Sequence, residues 1–195
     1  TGILKPRKTV NIPSKNLQFP TITDKDIEDI KIAIEHKVDF LSVSFVRNAK
    51  DLHKVRELIE DKPIKIVAKI GSREGVENFD EILEVADAIM IARGDLGVET
   101  PLENVPILQK LIISKCRSKG KPVIVATQML ESMIENKKPT RAEISDVANS
   151  VMDGTDALML SAETSVGKNP IDAVKIMNII ALNTEKVMKL THDYG

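Results

Sequence analysis

Several short apolar runs in this sequence end in residues that could bind a phosphate or a metal ion. The run Ala88–Ala92 is followed directly by Arg93, Gly94 and Asp95. A glycine lets backbone amides come close to a ligand, and an aspartate supplies the hard oxygen that a divalent cation prefers. The same residues are also common in ordinary strand-to-helix turns, so this motif needs support from its neighbours.

Other apolar runs supply that support. Lys69 ends the run Ile66–Ala68, where an ammonium held by apolar neighbours could meet a phosphate or a developing oxyanion. A lysine reaching solvent from a strand edge is the alternative. Thr127 closes another run and is equally compatible with a β-forming residue. The remaining polar residues at such ends are Ser44, Arg47, Gln128, Ser161 and Glu163. Together they match the parts of a phosphoryl-transfer site.

Five apolar runs rich in Val, Ile, Leu and Met predict parallel strands covered on both faces. They are Val38–Phe45, Ile64–Ile70, Ala88–Ala92, Val123–Thr127 and Ala157–Ser161. Amphipathic segments separate them, which is the pattern of repeated βα units. In such folds ligands bind at the carboxyl ends of the strands. The polar residues above are therefore predicted to form one site, with Arg93 and Arg141 interpreted as surface salt-bridge residues.

The spacing of the strands fits two architectures, an open doubly wound sheet or the later part of a (βα)8 barrel. No glycine-rich phosphate loop follows the first strand, where the sequence reads SFVR at 44–47. A full barrel takes about 250 residues, and this chain has 195. We therefore predict an α/β fold that is a partial barrel of about five parallel βα units.

Helix boundaries are marked by residues of known preference. Thr23 with Asp26 and Thr140 with Glu143 have the spacing of capping boxes. Their residue types also predict four further boundaries. Asn48 and Asn78 are predicted to be N-caps, Gly120 to follow a helix end and Pro170 to lie in a first turn.

Composition limits the classes of partner. The net charge is -1 and aromatic residues make up 3% of the chain, which argues against nucleic-acid and anionic-membrane binding. No apolar run approaches the roughly 20 residues of a membrane span. The lone Cys116 lies in an apolar helical pattern and is predicted to be structural, as in a reducing cytoplasmic compartment. Because the chain begins at Thr1, we expect it to be a segment of a longer polypeptide.

Four runs resemble the pyruvate kinase family closely and in order. They are SFVR at 44–47, MIARGDLGVE at 90–99, ATQMLESM at 126–133 and PTRAEISDVANSVMDGTD at 139–156. The resemblance implies a TIM barrel of which residues 21–195 hold roughly strands four to eight. Residues 1–20 would be the connection returning from a lid domain that this chain lacks.

The resemblance also implies roles for single residues. Lys69 would neutralise the phosphoryl group in transfer, and Gly94 and Asp95 would hold the substrate carboxylate, with Asp95 also binding Mg²⁺. Thr127 would lie beside the methylene carbon that is protonated. The implied reaction moves a phosphoryl group from phosphoenolpyruvate to ADP in glycolysis, with Mg²⁺ and K⁺ as cofactors. The K⁺ ligands and most ADP contacts would lie outside this chain.

One residue departs from the family pattern at the implied metal site. The family has a Lys-Ile-Glu-Asn run whose glutamate is the second Mg²⁺ ligand, whereas Gly71 stands at that position here. Glu74 aligns with a different family residue and is not expected to replace it. Ala162 stands in place of a glycine, which is a milder change.

Two other functions stay open at this point. Gly71 and the incomplete barrel favour a catalytically silent relative with a structural or oligomerising role, and a phosphoenolpyruvate or oxaloacetate lyase of similar barrel type is a further alternative. The resemblance implies a cytoplasmic homo-oligomer, a tetramer, with Glu131–Met133 and Thr140–Met152 at subunit contacts.

Overall fold

The computed structural model describes residues 22–192 of the chain. The predicted connection at residues 1–20 lies outside these residues. The helices are α1 Asp24–Glu35, α2 Ala49–Ile59, α3 Arg73–Glu77, α4 Phe79–Val85, α5 Arg93–Glu99, α6 Val105–Ser118, α7 Arg141–Asp153, α8 Ala162–Ser165 and α9 Pro170–His192. The strands are β1 Phe40–Val43, β2 Lys65–Ile70, β3 Ala88–Ala92, β4 Val123–Ala126 and β5 Ala157–Met159. Two 3₁₀ turns span Leu102–Asn104 and Glu131–Ile134.

The five strands form one parallel sheet in the order β1-β2-β3-β4-β5. All five predicted strands are confirmed, although each except β3 is shorter than its apolar run. A doubly wound sheet reverses its strand order at a switch point, whereas a (βα)8 barrel adds each strand beside the previous one. The sequential order therefore confirms the partial barrel and excludes the doubly wound alternative.

The two faces of the sheet are covered differently. Alternate strand residues such as Ile66, Ile91 and Val125 pack with helix residues in the main hydrophobic core. Residues of the opposite face form a separate small cluster centred on Val67 and Met90. The members of this second cluster all come from strands. Helices on one face and strand side chains alone on the other match the outer and inner faces of a barrel.

The prediction that every strand is covered on both faces is confirmed only in the middle of the sheet. All five residues of β3 are buried. In β1 and β5, however, Phe40 and Ala157 are exposed, and in the described part of the chain each of these strands pairs with a single neighbour. The apolar composition of a strand shows that both of its faces can pack against other elements. It does not show whether those neighbouring elements are present.

The capping residues fix the helix starts largely as predicted. Thr23 and Thr140 form capping boxes with the acidic residue three positions later, and Asn48 accepts two backbone N–H bonds. Gly120 has the left-handed φ of 62° expected after a helix end, and Pro170 begins α9. Asn78 occupies the N-cap position of α4 as predicted, but its side chain makes no capping bond and its amide group instead donates to the carbonyl of Arg47 at 2.9 Å.

The only cysteine is a core residue, as predicted. Cys116 is fully buried in α6, and burial raises the pKa of its thiol to about 12. A thiol with that pKa stays protonated at neutral pH and is not a nucleophile. Across residues 22–192, no helix has both the length and the apolar character to cross a bilayer.

Asp87 links three elements just before β3. Its carboxylate accepts a bond from the Ile66 N–H of β2 at 2.7 Å and one from the Arg56 guanidinium of α2 at 2.5 Å. Burial by itself raises the pKa of the Asp87 carboxyl, but these hydrogen bonds outweigh it and the net pKa lies below the usual 3.8. Asp156 repeats the arrangement before β5, where it accepts from the Val123 N–H at 2.8 Å.

Asp87→Asn should lower the free energy of unfolding by about 2 kcal/mol at neutral pH, because the hydrogen bonds lose their charged acceptor. A carboxyl whose pKa is lowered by folding stabilises the folded state fully at pH values above its unfolded pKa. This stabilisation is lost as the pH falls through the folded pKa. The difference between wild type and variant should therefore shrink at pH values below 3.8. Urea unfolding across this range measures it. Asp29→Asn, in an exposed pair with Lys25, is the control and should change little. A pH-independent difference would contradict the assignment.

Candidate functional site

The predicted site residues lie at the carboxyl ends of three adjacent strands. Lys69 is the penultimate residue of β2, Arg93 begins α5 immediately after β3, and Thr127 follows β4. The Nζ atom of Lys69 lies 3.9 Å from Oδ2 of Asp95. The Gly94 N–H donates to Oγ1 of Thr127 at 2.7 Å. The fold thus brings Lys69, Gly94, Asp95 and Thr127 together as one group.

Lys69 belongs to the interior of the sheet. Its strand pairs with β1 on one side and β3 on the other, and Lys69 itself is in register with Met90. Lys69 is therefore not on an edge strand of the described sheet. Its side chain is 25% exposed, and its ammonium group lies near the Asp95 carboxylate at the carboxyl end of the sheet.

Thr127 has a backbone conformation that its residue type disfavours. Its φ is 70° and that of Gln128 is 53°, both in the left-handed region. This region is costly for a β-branched residue and occurs where the surrounding structure enforces it. Thr127 is therefore not a β-forming residue of the strand, which ends at Ala126. Its hydroxyl donates to the Ala126 carbonyl at 2.6 Å while accepting from Gly94.

The side chain that holds this conformation is Arg93. Its guanidinium donates to the Thr127 carbonyl at 2.9 and 3.2 Å and to the Gln128 carbonyl at 2.7 Å. Arg93 is only 6% exposed, so the prediction of a surface salt-bridge residue is wrong. The rigid fork of five donors suits arginine, and not lysine, to bind two successive carbonyls.

Asp146 of α7 balances the buried charge of Arg93, and Gln109 of α6 adds a hydrogen bond. The Nη1 atom of Arg93 lies 2.8 Å from Asp146 and 3.3 Å from Oε1 of Gln109. Gln109 in turn donates to Ser150 and Asp153 at 3.2 Å each. Asp146 and Asp153 are therefore structural partners of this buried group. Arg141, by contrast, is exposed.

Glu163 stabilises the next loop in a similar way. It is 2% exposed, and its two carboxylate oxygens accept the N–H groups of Leu130 at 3.1 Å and Ser161 at 2.8 Å. Arg47, four positions beyond the end of β1, pairs with Asp51 at 3.6 Å. These strand-end residues thus support the loops around the Lys69 group.

Gly71 leaves a space that Asp95 fills. A Cβ atom added at Gly71 would lie 2.8 Å from Cβ and 3.2 Å from Oδ2 of Asp95. Asp95 is therefore the acidic residue in contact with both the Gly71 position and Lys69. Among residues 22–192, no group of three or more His, Cys, Asp and Glu side chains is arranged to hold a metal ion. These residues fit Mg²⁺ only as a site with Asp95 as carboxylate and further oxygens from substrate and water.

The structural roles of Arg93 and Gln109 are not predicted from the sequence. One signal was present, because Gln109 is a polar residue among the apolar positions of α6 that face the core. A buried amide needs a partner, and a nearby buried arginine is a suitable one. Nothing local in the sequence distinguishes Arg93 from a surface arginine, since its acceptors lie 34 and 35 positions away.

Arg93→Lys should lower the free energy of unfolding by about 2 kcal/mol, because lysine keeps the charge but cannot bind both carbonyls and Asp146 together. Urea unfolding of the full-length protein measures the change. Arg73→Lys is the matched control, since Arg73 forms an exposed pair with Glu77 at 2.8 Å. It should change stability by less than about 0.5 kcal/mol. Equal effects of the two substitutions would contradict the structural role of Arg93.

Comparison with known proteins identifies the family. Residues 1–174 match the family described as pyruvate kinase, barrel domain. The pyruvate kinase of Geobacillus stearothermophilus is 56% identical over 191 residues, covering 96% of this chain and 32% of that protein. Those of Bacillus licheniformis and Dictyostelium discoideum are 53% and 52% identical over 96% of this chain, covering 33% and 37% of their own lengths. The chain therefore spans about a third of the relatives it matches, and the lyase alternative is not supported. The sequential order of the parallel sheet agrees with these matches. The chain therefore belongs to the pyruvate kinase family and corresponds to part of its barrel domain.

Proposed function

We propose that the protein carrying this chain transfers the phosphoryl group of phosphoenolpyruvate to ADP, giving pyruvate and ATP. The observation that carries the proposal is the grouping of Lys69, Gly94, Asp95 and Thr127 at the carboxyl ends of β2, β3 and β4. This is the edge at which barrel enzymes place their active sites. Family membership supports the assignment of the reaction.

Lys69 is proposed to neutralise the phosphoryl group during transfer and the enolate that remains. Its ammonium is tethered to an interior strand and is 25% exposed, so it is positioned by packing yet open to a ligand. Its contact with Asp95 at 3.9 Å is long for an ion pair. Pairs of this kind are worth less than about 1 kcal/mol, so an incoming phosphoryl group can replace the carboxylate.

Gly94 and Asp95 are proposed to hold the substrate carboxylate through their backbone amides. A side chain at Gly94 would crowd the site, since an added Cβ atom would lie 3.3 Å from the Thr127 hydroxyl. The Gly94 N–H already donates to that hydroxyl at 2.7 Å. A carboxylate that takes this N–H would displace the hydroxyl oxygen, and so binding would free the Thr127 side chain to turn towards the substrate.

Thr127 is proposed to lie next to the carbon that gains a proton when enolpyruvate becomes pyruvate. Its hydroxyl bridges the Ala126 carbonyl and the Gly94 amide, which fixes the position of the oxygen at the strand end. The left-handed backbone enforced by Arg93 places it there. A hydroxyl in this position can deliver or relay a proton over one hydrogen bond.

Mg²⁺ and K⁺ are the proposed cofactors, and both follow from family membership. Asp95 would hold Mg²⁺, and the K⁺ ligands and most ADP contacts would come from outside this chain. When bound, the cations supply positive charge to the phosphoryl oxygens. A cytoplasmic location in glycolysis and a homotetramer, with Glu131–Met133 and Thr140–Met152 at its contacts, belong to the same proposal.

Gly71 favours a second candidate function. A barrel that lacks the second carboxylate could serve as a catalytically silent structural or oligomerising relative. The two candidates differ in one measurable respect, which is pyruvate formation by the full-length protein.

A coupled assay of pyruvate formation tests the first candidate. Lys69→Met should lower kcat by about 100-fold or more, because a fixed positive charge at the transferring group is lost. Lys65→Met is the matched control, since Lys65 is exposed on the same strand and should leave kcat unchanged. No pyruvate from the wild-type full-length protein at saturating Mg²⁺ and K⁺ would overturn the kinase assignment in favour of the silent relative.

Thr127→Val should separate proton transfer from phosphoryl transfer, since valine keeps the shape of threonine and removes the hydroxyl. Exchange of the methyl protons of pyruvate in deuterated water, followed by NMR, should fall by about 100-fold. Thr127→Ser, which keeps the hydroxyl, should retain most of the exchange. If the valine variant exchanges protons as fast as wild type, Thr127 is not part of the proton path.

A further inference from the structure

The segment Thr127–Leu130, which follows β4, is held by two buried charges of opposite sign. The guanidinium of Arg93 donates to the carbonyls of its first two residues at 2.9 and 2.7 Å. The carboxylate of Glu163 accepts the N–H of its last residue, Leu130, at 3.1 Å. Carbonyl oxygens carry partial negative charge and amide hydrogens partial positive charge, so each end of the segment meets the charge that attracts it.

The burial of Glu163 needs an explanation, because an ionised carboxylate is costly to remove from water. Glu163 is 2% exposed. Among residues 22–192 it takes part in no ion pair, and its hydrogen-bond partners are the N–H groups of Leu130 and Ser161. The charge of Glu163 is therefore stabilised by backbone amides from two loops, those that follow β4 and β5.

The Leu130 amide depends on Glu163 because water does not reach it. Leu130 is fully buried, as is Met129 before it. A buried amide that loses its acceptor destabilises the conformation in which it is unpaired. Loss of the Glu163 carboxylate would therefore cause the segment Thr127–Leu130 to move until the amide finds another acceptor.

Such a movement would reach the Thr127 hydroxyl. Thr127 and Gln128 have φ values of 70° and 53°, in the left-handed region that persists only where the surrounding structure enforces it. A segment released at Leu130 can relax to negative φ values. The Thr127 hydroxyl would then leave the position in which it accepts the Gly94 N–H at 2.7 Å.

We propose that Glu163 is a positioning residue for the proton transfer assigned to Thr127, and that it acts through the Leu130 amide and not by contact with the substrate. The inference rests on the proposed function, in which the Thr127 hydroxyl serves the carbon that gains a proton. Arg93 holds the start of the segment and Glu163 holds its end, so both are needed to fix the hydroxyl.

Amide hydrogen exchange of the full-length protein without substrate, read by mass spectrometry at the Gly94 N–H, tests the positioning role. This N–H donates to Thr127 and not to Glu163. Glu163→Gln keeps the side-chain shape but places an NH₂ group against a backbone amide, so Gly94 exchange should rise about tenfold. Asp156→Asn is the matched control. Its carboxylate accepts the Val123 N–H at 2.8 Å and so also joins β5 to β4, but at the amino ends of these strands. It should leave Gly94 exchange unchanged.

A double variant shows whether Glu163 acts through Thr127. In Glu163→Gln, exchange of the pyruvate methyl protons in deuterated water should fall about tenfold, while KM for phosphoenolpyruvate stays within about twofold of wild type. In the Thr127→Val background the same substitution should slow methyl exchange no further, because the hydroxyl that Glu163 positions is absent.

Three results would overturn the proposal. They are unchanged Gly94 exchange in folded Glu163→Gln, an equal rise in Asp156→Asn, and multiplicative effects of the substitutions at 127 and 163 on methyl exchange. A wild-type protein that exchanges no methyl protons contradicts only the proposed catalysis, because the amide measurement needs no turnover.

Glu163→Asp decides the question if circular dichroism shows that Glu163→Gln does not fold. Aspartate keeps the charge but is one methylene shorter, so it cannot bind the amides of both Leu130 and Ser161 in their present positions. Gly94 exchange should again rise, and unchanged exchange in this variant would overturn the proposal.

Discussion

The buried guanidinium of Arg93 is the interaction on which the rest of the site depends. A charge that is 6% exposed must be paired, and here its partners are the Thr127 and Gln128 carbonyls and the Asp146 carboxylate. These acceptors come from the end of β4 and from α7, so one side chain joins three elements behind the site. Because the two carbonyls belong to left-handed residues, the same interaction enforces the backbone that carries the Thr127 hydroxyl.

The sheet explains why these residues meet. Five parallel strands in sequential order place every carboxyl end on one edge, and the helices cover only the outer face. Lys69 and Asp95 are 26 positions apart in sequence, yet they lie at the ends of the neighbouring strands β2 and β3. Catalytic residues drawn from different strands of one barrel edge are typical of this fold, since loops there can change without disturbing the core.

Gly71 is the position at which this family member departs from the family pattern at the candidate site. The chain is 56% identical to a pyruvate kinase over nearly its whole length, yet the position expected to bind a metal carries no side chain. The neighbouring aspartate occupies the vacated space and lies near the lysine. Position 71 therefore adds no charge to the group, and the acidic side chain beside it is that of Asp95.

The five strands, the capped starts of α1, α2 and α7, and the location of the polar residues at the strand ends can be predicted from the sequence. These features depend on local periodicity and residue type, which any short window of the chain contains. Contacts that form only in the folded chain bury Arg93, hold Thr127 beyond its strand in a left-handed conformation, and direct the Asn78 side chain to a carbonyl and not to the start of α4. Each of these outcomes depends on partners more than 30 positions away, where burial and pairing outweigh local preference.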